Sequence, residues 1–489
     1  MIKLFFLFLI LFHFIIHINN YIVLPIYTLK NENYKSLLYT KNSPEDIIVS
    51  EYRSSFYTEL EIGNPPQKIP LLIKVKTNDY VITSIHPTEK SVTYENKTVY
   101  DFSDNFLKNY DFFNENKSNT ISYKYFRNRK KNKNSDDIPI ADEMAPAYDS
   151  FYLYKNINMK NKVEINNLYF DLVRNIRDNV TGIIGLGLYD IYYRTTSSFL
   201  YILKNNNLTN SHFWFFEFDS PKSDKGKLII GSLLDEIYEE QYDREDISYA
   251  KTNQGYLYYN MDFNKIFIDN LSEITDLGKA TCELNYDNNV IVASYEYKKY
   301  FKSLLNDSIA EQICFESTFE AKNDLYSSKS NFIFYYCKNE QSIKDELKKL
   351  IKPIKFYSSE FNYTFEIIHD DILKEVNEYI YIKIIFEKYG GTWILGKPFS
   401  LKYKFVFNPE LKEIAFYHKY KDKPESQIFT IILKILLILL LIVILVFLGV
   451  LLGKKIYGLK RKKRANELND DFEYFSEDKK EKDKENAIN

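Results

Sequence analysis

Short apolar runs punctuated by Asn, Asp, Gly and Pro dominate the chain between residues 50 and 420. In the run FYTELEI at 56–62, apolar and polar positions partly alternate, and the run stops at Gly63-Asn64-Pro65-Pro66, a turn signal. Runs at 73–84, 182–188, 227–231, 256–268, 290–293, 392–395 and 403–407 have the same character and predict further strands. The 3.6-residue period is scarce, and the best helical patterns lie at 295–305 and 342–350. The pattern predicts an all-β (mainly β) class, in a region too long for one sandwich.

Two apolar stretches of another kind lie near the ends. After Met1-Ile2-Lys3, residues 4–16 are mainly apolar, which fits a signal peptide over 1–20. Residues 428–452 hold one charge, Lys434, over 25 positions, and about 20 apolar residues span a bilayer. Lys454, Lys455, Lys460, Arg461, Lys462, Lys463 and Arg464 follow, which places the tail 453–489 on the cytoplasmic side. The expectation is a type I single-span protein of the secretory pathway, an organelle or the plasma membrane, with most of the chain lumenal or extracellular. Residues 21–50 would be a short N-terminal extension, in which 23–27 can pair as an extra strand.

Composition narrows this picture. At 45% hydrophobic and 17% aromatic the 489-residue chain is not disordered as a whole. A formal net charge of −2 gives no argument for nucleic-acid binding. Three cysteines, Cys282, Cys314 and Cys337, lack zinc-site spacing. In an oxidising compartment Cys314 and Cys337 are the candidate disulfide, leaving Cys282 over. Sequons at Asn96, Asn116, Asn179, Asn207, Asn270, Asn306 and Asn362 permit glycosylation.

Four motifs carry a family resemblance. Residues 56–67, ending Gly63-Asn64-Pro65-Pro66-Gln67, look like the opening hairpin of pepsin-like aspartic proteases. Thr181-Gly182-Ile183-Ile184-Gly185-Leu186-Gly187 resembles the D-G-I-L-G-L-G that closes the first ψ-loop of that family. Gly226-Lys227-Leu228-Ile229-Ile230-Gly231-Ser232 is similar to its G-x-L-x-x-G-G strand. Thr392-Trp393-Ile394-Leu395-Gly396-Lys397-Pro398-Phe399, with 403–408 behind it, is similar to W-I-L-G-D-x-F and the strand that follows. The resemblance implies a bilobal pepsin-like fold with lobes at 51–235 and 236–420, followed here by a C-terminal transmembrane helix. It also implies one catalytic Asp per lobe, each in a D-T/S-G-T/S loop.

Those loops are altered. The first Asp-Thr-Gly-Ser position holds Lys74-Val75-Lys76-Thr77, and in the second lobe Asn285 stands for the Asp and Asp287 for the Gly. The register has internal support: Lys74 to Gly185 spans 111 positions (185 − 74), as does Asn285 to Gly396 (396 − 285). The family's chemistry needs two carboxylates sharing one proton. A lysine and an asparagine cannot share that proton, and each positioned acid or base is worth about 10²–10⁴-fold. Asp79 and Asp287 are the fallback carboxylates in a shifted register, against a reading of both as solvent-facing or locally capping side chains. Ile121-Ser122-Tyr123-Lys124-Tyr125 looks like the strand leading to the flap, with Tyr125 as flap tyrosine, and a basic run at 126–133 follows.

No G-x-S-x-G, H-E-x-x-H or P-loop motif occurs, so neither a cofactor nor a metal is expected. The leading expectation is a catalytically inactive, membrane-anchored pseudoprotease that takes a peptide or protein ligand and no nucleic acid. An active aspartic endopeptidase and an adhesion or structural surface protein are the alternatives.

Overall fold

The structure, a computed structural model, describes residues 20–28, 43–52, 54–77, 79–84, 113–123, 127–128, 141–160, 162–176, 181–188, 198–218, 220, 223–252, 258–269, 274–322, 329–388, 391–418, 452, 456–457 and 459–460. Residues Met1–Tyr420 form one compact unit and Lys421–Asn489 a second. The apolar stretches at 1–19 and 428–451, Tyr125, and sequons Asn96, Asn179 and Asn270 lie outside the described residues. Among the described residues no helix is long and apolar enough to cross a membrane.

Among the described residues the first unit is built on a 14-stranded, an 8-stranded and a 4-stranded sheet. Each half of the chain contains the same motif. In the first, Gln67–Lys74 runs parallel to Gly182–Gly185, which runs antiparallel to Tyr80–Thr83, which in turn runs parallel to Lys162–Ile176. In the second, Ala280–Leu284, Ile394–Leu395, Ile291–Ala293 and Tyr379–Glu387 repeat those relations. The equal spacing is a register in space: Lys74 pairs with Gly185 and Leu284 with Leu395, each 111 positions on.

The two halves share the largest sheet. Phe405–Asn408, from the end of the second half, pairs with Trp214–Phe218, where Trp214 stands opposite Phe407. Trp214 is fully buried, stacked on Phe407 at 4.4 Å, and donates from Nε1 to Tyr259 Oη at 3.2 Å. Large aromatics of this kind supply most of the apolar area at such a junction.

The strands at 73–84 and 256–268 do not run unbroken. The first stops at Lys74 and resumes at Tyr80–Thr83, because Thr77 and Asp79 between them accept from Gly187 N and Gly185 N. The second divides at Asn264, whose side chain accepts from Ser359 N, into Asn260–Phe263 and Lys265–Asp269. The run at 227–231 extends over Lys225–Ile230 and ends where Gly231 takes a φ of +101°, open to glycine at low cost. Two strands of 14 and 15 residues, Ala141–Tyr154 and Lys162–Ile176, were not legible in the apolar pattern.

The predicted helices are Tyr295–Ala310, capped by Ser294 and burying Tyr297, Phe301 and Leu305, and Gln341–Leu350. Within 21–50, residues 23–27 pair as the extra strand expected of them. Ile22–Thr28 lies in the large sheet between Lys225–Ile230 and Phe56–Ile62. Pro44–Tyr52 is a helix whose Ile48 and Val49 pack on Val290, Val292, Phe334 and Ile385 of the second half. Cys314 and Cys337 are disulfide-bonded across a hairpin, and Cys282 is free and buried. Asn116, Asn207, Asn306 and Asn362 are all exposed.

Candidate functional site

The chain leaves the helix Pro44–Tyr52 on the second half and enters the strand Phe56–Ile62 of the first. Ser54 and Ser55 lie in that passage, where the loops after Lys74 and Leu284 meet. Lys74 ends its strand with Nζ donating to Ser55 Oγ at 2.8 Å and standing 3.8 Å from Asp287 Oδ1. Ser55 Oγ also lies within 3.5 Å of Asp287 Oδ1. A second ion pair, Lys76 Nζ to Glu283 Oε1 at 2.6 Å, runs beside the first, and Lys76 also lies over the Tyr258 ring.

Asn285 does not reach across. Its Oδ1 accepts from Asp287 N at 2.8 Å and so folds its own loop. That contact fixes Asp287, which is buried at 3% exposure, facing Lys74 and Ser55. The expectation of a solvent-facing or capping side chain is therefore corrected for Asp287: the tight turn at Asn285 aims it inward. Asp79 stays within its own loop. Thr77 Oγ1 donates to its Oδ2 at 2.8 Å, and its own N–H returns to Thr77 Oγ1 at 3.2 Å. The two fallback aspartates thus differ, one facing the centre and the other turned into its own loop.

The glycines close the loops. Gly185 N and Gly187 N donate to Asp79 O and Thr77 O at 2.7 Å, and Lys397 N donates to Asn288 O at 2.8 Å just after Gly396. A Cβ on Gly396 would lie 2.0 Å from Val290 O.

Four further residues of this centre were not singled out from the sequence: Glu51, Ser54, Ser55 and Lys397. Lys397 is 4% exposed, donates from Nζ to Ser54 Oγ at 2.9 Å, and lies 3.6 Å above the centroid of the Phe56 ring. Burial pushes its amine down to about 7, against the upward pull of Asp287 and Glu51 and with the downward push of Lys74 and Lys383. Glu51, at 7% exposure, accepts from Asn289 Nδ2 at 2.5 Å and is ion-paired with Lys374. The signal for Lys397 was present, since it fills the Asp of W-I-L-G-D-x-F. The serines and Glu51 had no motif, because their role comes from where the passage crosses.

Two matching four-strand motifs, closed by glycine loops about one charged centre, define a protein of the aspartic-protease fold. Residues 55–418 match the family model described as eukaryotic aspartyl protease, and the chain belongs to that family. A comparison with curated proteins found no match.

Proposed function

We propose that this chain is a two-lobed, membrane-anchored member of its family that has lost aspartic-peptidase chemistry and uses the interlobe region to bind a peptide or protein. The observation that carries the reading is the Lys74–Asp287 pair, 3.8 Å apart, where the family's chemistry needs two carboxylates with one proton between them. An ammonium beside Asp287 keeps a proton-sharing pair from forming, and Asn285 is committed to its own turn. A groove between β lobes still suits an extended ligand through main-chain hydrogen bonds. Type I insertion by the segments 1–20 and 428–452, and glycosylation at exposed sequons such as Asn306, belong to the same reading.

The test is cleavage of a peptide library by the detergent-solubilised full-length chain from pH 4 to 7.5, beside an Asp79→Asn/Asp287→Asn variant. No turnover by either protein is the expected result, and capture of peptide without cleavage would support binding. Buried Asp287 favours one second reading, an active endopeptidase. Turnover lost in the double variant would establish that reading and sink the first.

A further inference from the structure

The passage between the halves sets two serines side by side, each against a lysine amine, and the two pairs differ. Lys74, against Ser55, is ion-paired with Asp287. Lys397, against Ser54, has that hydroxyl as its polar contact among the described residues and the Phe56 ring as its other close neighbour. We infer that Ser54 and Lys397 form a nucleophile and general-base pair for acyl transfer, taking small activated esters. The 2.9 Å separation lies within the reach such a pair requires. The charged groups facing Lys397 are Asp287, Glu51, Lys74 and Lys383, and burial outweighs them, bringing the amine down to about 7. A neutral lone pair is then available near neutral pH, where a base is most effective.

In the reaction, Lys397 Nζ takes the Ser54 hydroxyl proton as Oγ bonds to the acyl carbon and the carbonyl electron pair moves onto oxygen. The tetrahedral adduct collapses, the carbon–oxygen bond to the leaving alcohol breaks, and that alcohol takes the proton from Lys397. Water then adds to the acyl-serine with Lys397 again as base. The second collapse releases the acid and restores Ser54. The pair occupies the same centre as the proposed binding function but does not depend on it. Peptide cleavage in acid would sink that function and leave this inference standing.

Ser54 is 4% exposed, so the probe must be small. A short-chain alkyl fluorophosphonate forms a bond from Oγ to phosphorus and expels fluoride. With the solubilised full-length chain, peptide mass spectrometry is expected to place the adduct on Ser54. The labelling rate should rise with pH about a midpoint near 7. Ser54→Ala should lose the adduct, and Lys397→Arg, which keeps the charge without a base, should slow it about 100-fold. Absence of a Ser54 adduct in folded protein at pH 8.5 would overturn the inference. So would a rate that is flat with pH, a readout that needs no substitution, or one unchanged in Lys397→Arg.

Discussion

Gly396→Ala is expected to destabilise the protein by about 3 kcal/mol or more, because a Cβ at that position has nowhere to go. It would lie 2.0 Å from Val290 O and 2.6 Å from Asn288 O, both backbone atoms. Asn288 O already accepts from Lys397 N, so relief would separate the loop at 285–290 from the helix Lys397–Ser400 and shift Lys397 off Ser54. Backbone conformation is not the obstacle, since Gly396 has φ −75°, which alanine adopts freely. Gly278 supplies the contrast. It has φ +85° with nothing within 4 Å, so Gly278→Ala should cost only about 1–2 kcal/mol of left-handed strain. Denaturant titration of the two variants separates the cases. A Gly396→Ala protein as stable as Gly278→Ala would mean that the backbone of Asn288 and Val290 does not lie against Gly396, and that the geometry of the centre is wrong with it.

The reach of the sequence follows from what each feature depends on. Glycine turns leave marks because close approach forbids any other residue, so the 111-residue repeat could be read as a count and found again as strand register. Short buried strands such as Gly182–Gly185 leave marks because every position is apolar. The long strands Ala141–Tyr154 and Lys162–Ile176 left none, because their mixed polar and apolar runs do not repeat at one period. Charge pairing across the halves was also hidden. Lys74 and Asp287 are 213 positions apart (287 − 74), and no local rule links them. Asp287 illustrates the limit best. In sequence it is one acid in an Asn-rich loop, and only the Asn285 turn together with the approach of Lys74 turns it inward. Lys397 stood in view as a departure from its motif, yet its burial depends on Phe56 and Ser54, more than 340 residues away (397 − 54 = 343).

That burial sets the second large expected effect. Lys397→Met should raise stability below pH 7 by about 2–4 kcal/mol and flatten its rise with pH. The sign follows from proton counts. The amine is held at about 7 in the folded chain and at 10.5 when unfolded. Below pH 7 both states carry the proton, and the folded state bears the full cost of a buried charge. Between pH 7 and 10.5 the unfolded chain keeps the proton that the folded chain has lost, so folding stability rises with pH, at up to about 1.4 kcal/mol per unit from this group alone. Above 10.5 neither state carries it and the cost is gone. Methionine keeps the length of the side chain over the Phe56 ring, removes the charge, and gives up the bond to Ser54. Denaturant titrations at pH 6, 7.5 and 9 should therefore show wild type gaining on the variant with each step. Parallel curves would mean that the amine stays charged through this range, and Lys397 could then serve neither as the buried cost described here nor as a base for Ser54. Convergence of the curves, with Ser54 labelling rising over the same interval, would trace both effects to one amine.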